Sequence, residues 1–219
     1  MDANEKIRPQ ELRDILLFVA QAVAQEESTL NALDSAIGDG DHGITMRLGF
    51  QAVANRLTDL PSDTGIDVIL GESGRAFMGA RGGAIGVILG KRLSAGKTAL
   101  QGCDSIGPSE LAVWLSATES AVASSGKARP GDKTILDAVH AAESASQSLG
   151  SGAPLEEMVA SAAQAAETAA RNTANRVCRV GRASRLGERS FGHPDPGAVS
   201  FAIILGAISS WLKQHARGH

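Results

Sequence analysis

The chain predicts an all-α fold, and three observations carry that expectation. Aromatic residues make up only 3% of the 219 residues, Tyr is absent, and Ala and Gly are abundant. That composition favours helices packed through small side chains over sheets built from aromatic and β-branched ones. Apolar positions recur at helical spacing through nearly the whole length, and no convincing period-two alternation marks a strand.

A first helix is expected over about residues 9–26, where Leu12, Ile15, Leu16, Val19, Ala20 and Val23 mark one face. A short helical turn, about residues 29–37, leads into a glycine-rich acidic stretch. Beyond it Met46, Phe50, Val53 and Leu57 recur at helical spacing until Pro61, which stops that helix. A third helix spans about residues 67–78 and ends in Gly79-Ala80-Arg81-Gly82-Gly83. A fourth, about residues 84–95, carries Ile85, Ile88, Leu89 and Leu93. Pro108-Ser109-Glu110 opens a fifth, with Leu111, Trp114, Leu115, Ala121 and Val122 inward and Gly126 closing it from just beyond its end. Asp132 is the expected N-cap of a sixth that runs to Leu149. Pro154 opens a seventh, with Leu155, Met158, Val159, Ala162, Ala166 and Ala169 on one face. Asp195-Pro196 reads as N-cap and first residue of an eighth, through Val199, Ile203, Ile208, Trp211 and Leu212. Eight amphipathic helices with short connections imply an antiparallel bundle or barrel around one core, and residues 1–219 are taken as a single domain. The longest irregular stretch is residues 172–194.

The most informative stretch is Leu33-Asp34-Ser35-Ala36-Ile37-Gly38-Asp39-Gly40-Asp41-His42-Gly43-Ile44-Thr45-Met46, which puts three carboxylates within eight residues. Like charges about 4 Å apart repel by kilocalories at intermediate dielectric, so either water screens them or a cation compensates them. Apolar neighbours Leu33, Ile37, Ile44 and Met46 argue against a free loop, although a solvated acidic turn is the competing reading. Hard oxygen ligands with room for water and phosphate suit Mg²⁺, and Asp34, Asp39 and Asp41 are read as a magnesium site. Three familiar motifs nearly fit and fail. Gly38-x-Gly40-x-x-Gly43 has the spacing of a dinucleotide fingerprint, but Asp fills two of its variable positions and no strand precedes it. A calcium loop starting at Asp39 would need Gly at Ile44 and Glu at Phe50. Gly96-Lys97-Thr98 would need a leading glycine at Lys91 to be a P-loop.

Composition narrows the classes. Apolar content of 43% and charged content of 21% describe an ordinary soluble globular protein. A net charge of −3 gives no reason to expect nucleic acid or an anionic membrane as partner. Cys103 and Cys178 lie far apart without zinc spacing, so reduced thiols in a cytoplasm are expected. No signal sequence follows the polar start, and the longest apolar run, about residues 198–208, is too short to span a bilayer.

A second stretch carries Arg171, Arg176, Arg179, Arg182, Arg185 and Arg189 in a glycine-marked loop. Most of these read as solvated. Yet arginine forks beside a helix start at Asp195 are what phosphate binding near a metal needs. Gly79, Gly82, Gly83 and Gly86 either let a backbone approach a ligand closely or serve turns and tight helix packing.

Four ordered motifs then carry a family resemblance across nearly the whole chain. They are Asp34-Ser35-Ala36-Ile37-Gly38-Asp39-Gly40-Asp41-His42-Gly43, Gly82-Gly83-Ala84, Gly126-Lys127-Ala128-Arg129-Pro130-Gly131-Asp132-Lys133-Thr134, and Gly181-Arg182-Ala183-Ser184 through Asp195-Pro196-Gly197. In this order and spacing the sequence resembles the nucleotide-binding L subunit of dihydroxyacetone kinase. The resemblance implies an eight-helix antiparallel barrel with ADP or ATP and two Mg²⁺ ions at one end. It implies that Asp34, Asp39 and Asp41 hold the metal, and that His42, Gly43, Ile44 and Thr45 line the phosphates. Ala84 and Ile85 would lie at the phosphate-facing glycine turn, Gly126 and Ile135 beside the adenine. Arg182 with Asp195, Pro196 and Gly197 would close over the nucleotide. Ile85 departs from the family, which usually has Ser there; losing one neutral hydrogen bond of about 0.5–1.5 kcal/mol should weaken binding by roughly tenfold at most. No side chain is assigned as a general base, because phosphoryl transfer here works by positioning and charge neutralisation.

The resemblance also implies partners: a separate K-type subunit that holds the ketose, a homodimer, and either exchanging ATP or a phosphohistidine protein of the sugar phosphotransferase system as donor. The alternative is a nucleotide-holding regulatory module without turnover of its own. No second constellation suited to a ketose is present in the sequence, and His140 sits in mid-helix, so transfer is expected across an interface.

Overall fold

The computed structural model describes residues 6–80, 84–126 and 128–215, with the side chains of these apart from residues 84–89, 91, 92, 126 and 182. The described residues are helical, as expected: α1 (Pro9–Gln25), α2 (Glu27–Ile37), α3 (His42–Asp59), α4 (Ile66–Ala80), α5 (Ala84–Ala99), α6 (Pro108–Gly126), α7 (Ile135–Leu149), α8 (Leu155–Asn172) and α9 (Pro196–His215). The 172–194 stretch contains two 3₁₀ segments, Thr173–Asn175 and Arg182–Ser190, the second interrupted at Gly187 with φ 53°. An isolated antiparallel bridge pairs Ile7 with Ile106.

Local chemistry sets the helix ends. Pro9 opens α1 at a position where no N–H is needed, and the Glu11 carboxylate accepts the Arg8 amide at 2.7 Å. The short turn expected before the acidic stretch is a full helix of 11 residues starting at Glu27. The N-cap of α7 is Thr134 rather than Asp132: its Oγ1 accepts from the Leu136 amide at 3.1 Å, and Asp137 Oδ2 accepts the Thr134 amide at 2.8 Å. Asp132 instead accepts the Arg129 amide at 2.8 Å within the preceding loop. Gly126 is the last residue of α6, not the one beyond it. Asp195 caps α9 as expected, accepting the Ala198 amide at 2.8 Å.

Packing follows chain order. Helix α1 lies on α3, and each helix from α3 to α9 lies on the next, with α9 returning to α1. α2 packs chiefly on α3. The inward faces bury Leu12, Ile15, Leu16, Val19, Met46, Phe50, Ile69, Phe77, Val159, Phe201 and Leu205 in one core. Phe50 and Phe77 meet edge to face with centroids 5.3 Å apart. At the centre remains a cavity of about 100 Å³ walled almost wholly by apolar side chains, Trp114, Leu115, Ala162 and Ile208 among them. α9 runs 20 residues with mean hydropathy 1.3, long and apolar enough by those measures to cross a membrane, unlike the shorter run expected. Here it packs on α1, α7 and α8 and sends Phe201, Leu205 and Trp211 into the core.

Candidate functional site

The acidic turn joins α2 to α3. Asp34 sits in the last turn of α2 and is 8% exposed, while Asp39 is exposed and Asp41 half-buried. Asp34 Oδ2 accepts the amides of Gly40 at 2.8 Å and Asp41 at 3.0 Å, so the turn is folded around its carboxylate. The glycines are dictated by that wrapping. A Cβ on Gly38 would stand 2.2 Å from Asp34 Oδ1, and Gly40 has φ 79°. Burial pushes the Asp34 carboxyl above its usual value, the amides of Asp41 and Gly40 pull it back, and the Asp39 charge raises it again.

One ligand atom from each of Asp34, Asp39 and Asp41 lies within 4.8 Å of the others. At such separations each charged pair repels by roughly 3–4 kcal/mol for an effective dielectric near 20. Two oxygens on opposite sides of one Mg²⁺ would be about 4.2 Å apart. The cluster therefore fits one such ion after slight closure, or a pair of ions with shared ligands. Hard carboxylate donors exclude soft metals as the preferred occupant.

Two further walls meet this turn. His42 opens α3 and is 1% exposed, with Nε2 3.1 Å from Ser200 Oγ, whose own hydroxyl donates to the Gly197 carbonyl at 3.0 Å. That chain of contacts ties the acidic turn to the start of α9. Gly43 passes so close to α2 that a Cβ would lie 2.1 Å from the Glu27 carbonyl oxygen, and the Ile44 amide is held by Asn31 Oδ1 at 3.1 Å. Thr45 is buried in the first turn.

The second wall is the start of α9 with the loops before it. A Cβ on Gly197 would sit 3.3 Å from Ile135 Cβ, so Ile135 and Asp195–Gly197 are neighbours although far apart in sequence. The Asp195 amide donates to Thr173 Oγ1 at 2.8 Å, closing the base of the 173–195 loop. The segment that begins with Arg182 packs on α2. Thus Asp34–Thr45, Ile135 and Asp195–Gly197 come together through direct or one-step contacts, and the 182–190 segment lies on α2. The Arg182 side chain lies outside the described residues, as do Gly82 and Gly83 and the side chains of Ala84, Ile85 and Gly126. Ala84 and Ile85 form the first turn of α5, which packs on α4 and α3. A Cβ on Gly79 would meet nothing within 4 Å among the described residues, so this glycine serves no tight helix packing there.

The loop arginines separate. Arg171 belongs to α8, paired with Glu167 at 2.9 Å, and Arg176 Nη1 meets Asp137 Oδ1 at 2.6 Å; both are exposed, as are Arg179, Arg185 and Arg189. Asp137 also accepts the Gly131 amide at 2.7 Å. The Thr134-x-x-Asp137 spacing is a capping-box signal that could have revealed this carboxylate. Lys133, buried with 0% exposure, donates from Nζ to the carbonyls of Arg176 at 3.0 Å and of Ser190. No sequence signal marks a lysine as buried.

Comparisons with known proteins show the family and the fold. The DAK2 domain model matches residues 36–210. The ADP-binding subunit DhaL of PEP-dependent dihydroxyacetone kinase 2 from Listeria innocua is 33% identical, with 91% of this chain and 93% of that protein covered. The ADP-binding subunit DhaL of the Escherichia coli PEP-dependent dihydroxyacetone kinase is 37% identical over 86% of this chain and 90% of that protein. An L-erythrulose 1-kinase of Mycolicibacterium smegmatis is 34% identical over 91% of this chain, which spans only 35% of that enzyme. Among solved structures, the dihydroxyacetone kinase of C. freundii in complex with AMP-PNP and Mg²⁺ superposes with a TM-score of 0.70 at 23% identity, over 94% of this chain and 34% of that one. By the domain match and the length shared with these relatives, the chain belongs to the DAK2 domain family.

Proposed function

We propose that this chain is the nucleotide- and magnesium-holding subunit of a short-ketose kinase. The observation that carries it is the Asp34, Asp39 and Asp41 cluster, folded around a buried carboxylate and joined to the start of α9 through His42 and Ser200. Asp34, Asp39 and Asp41 would hold Mg²⁺, as two ions, whose charge would compensate that of the phosphates of ADP or ATP. The chain's own residues do the rest. Gly43, Ile44 and Thr45 bring backbone close to the phosphates, with His42 anchoring that turn to α9. Ala84 and Ile85 face the phosphates from the start of α5. Gly126 and Ile135 flank the adenine, and Arg182 with Asp195, Pro196 and Gly197 closes the pocket. Catalysis is positioning and electrostatic compensation, without a covalent intermediate on this chain.

The ketose belongs on a separate K-type subunit docked over this end of the molecule, with a homodimer and a cytoplasmic setting as the working context. The relatives that this chain nearly spans are named as ADP-binding subunits of PEP-dependent kinases. That favours a retained ADP recharged by a phosphohistidine protein of the phosphotransferase system. The likeness to erythrulose kinases favours exchanging ATP as the second reading.

The test is an assay of the purified chain with Mg²⁺ and a panel of short ketoses, with and without a K-type subunit. One series is supplied with ATP, the other with ADP and the phosphohistidine donor. Turnover is expected only when the K-type subunit is present, and the productive series identifies the donor. Turnover by the isolated chain at the rate of the mixture would overturn the division of labour.

A further inference from the structure

Lys133 occupies a position that costs free energy twice. It is fully buried, and its φ of 61° lies in the left-handed region that side-chain-bearing residues avoid. Strained backbone and buried charge persist only where the surroundings impose both. Here the ammonium binds the carbonyls of Arg176 and Ser190, residues 43 and 57 positions further along the chain. Burial pushes its pKa below the usual lysine value, and Cys178 and Asp195 nearby offset only part of that. The same loops are stitched by the Arg179 amide on the Asp132 carbonyl at 3.2 Å and by Arg176 on Asp137. Ser190 Oγ in turn accepts the Cys178 amide at 2.9 Å and donates to the Gly187 carbonyl at 2.7 Å.

We propose that Lys133 is a positioning residue for the nucleotide: its ammonium locks the α6–α7 loop to the 173–195 loop. That holds Ile135 on one side and Arg182 with Asp195–Gly197 on the other facing one ligand. The inference rests on the nucleotide-holding reading above. A methionine would fill the same volume but leave the carbonyls of Arg176 and Ser190 without donors in a dry site. The cap would then lose its register while the acidic turn, held by its own amides, stays formed.

Release of a fluorescent ADP analogue in the presence of Mg²⁺ tests this in the wild type, Lys133→Met, Arg182→Ala and the double variant. Lys133→Met should release the analogue at least tenfold faster, with association within threefold of the wild type. The double variant should be little faster than Arg182→Ala alone, because a misplaced loop already forfeits the Arg182 contact. Wild-type release by a folded Lys133→Met protein, or effects that multiply in the double variant, would overturn the proposal. Should Lys133→Met fail to fold, Lys133→Leu, which likewise offers no donor, takes its place under the same criteria. Hydrogen exchange of the wild type adds a readout without mutation. ADP with Mg²⁺ should slow exchange at residues 131–134 and 176–190 together, and protection of one loop alone counts against the lock. A wild type that binds no ADP overturns the parent reading, and this shows before any variant is made.

Discussion

Asp34 Oδ2 accepts two amide hydrogen bonds in a site where burial and the Asp39 charge both raise its carboxyl. With a folded-state value above the ordinary 3.8, this residue contributes stability that is complete below that value and lost as pH rises through the folded one. In the metal-free protein at neutral pH its charge is therefore a cost, one that a bound cation removes. Asp34→Asn keeps an oxygen for the Gly40 and Asp41 amides and removes the charge. Metal-free melts should show this variant more stable than the wild type near neutral pH and no different at about pH 3. Calorimetry with ADP and Mg²⁺ should show its affinity down at least tenfold. The gathering of Asp34, Asp39 and Asp41 was legible because short spacing and flanking glycines make it a local event. Lys133 and Arg176 were not, since their partners lie 43, 57 and 39 residues away and burial is a property of the whole fold.

At the scale of elements, α3 has two glycines whose close contacts differ in kind. A Cβ at Gly43 meets the backbone carbonyl of Glu27 at 2.1 Å, whereas one at Gly49 meets the Phe77 ring at 2.4 Å. Either overpacking costs about 1–3 kcal/mol of stability. Gly43→Ala must push α3 away from α2, the helices that bracket the acidic turn, and should weaken ADP binding sharply. Gly49→Ala should lower the melting temperature by a similar amount while leaving ADP affinity unchanged, as calorimetry on both variants would show. The helices themselves were legible from their periodicity and from Pro9, Pro61 and Asp195. The 3₁₀ segment Arg182–Ser190 was not, because its three arginines, Glu188 and Gly187 leave no periodic apolar face. The true cap of α7 was missed because Asp132 and Thr134 are both good N-cap residues, and only the Asp137 partner selects between them.

For the whole molecule, the all-helical class followed from composition and period, but which helices touch did not. That α9 returns to α1 while α2 packs chiefly on α3 depends on contacts far apart in sequence. The central cavity was equally invisible, because it is what remains when Phe50, Phe77, Trp114 and Phe201 meet aliphatic side chains from helices far apart in sequence. A void of about 100 Å³ corresponds to roughly 60 mL per mole, within the volume change of about 20–100 mL per mole that unfolding typically recovers. The folded chain thus takes up more room than the unfolded chain and its water, so hydrostatic pressure acts as a denaturant on it. Trp114 stands on the cavity wall, and its fluorescence should report water entering as pressure rises. Ala162→Leu, which puts bulk into the same space, should move that transition to higher pressure, and an unmoved midpoint would mean the void contributes nothing to the volume of unfolding.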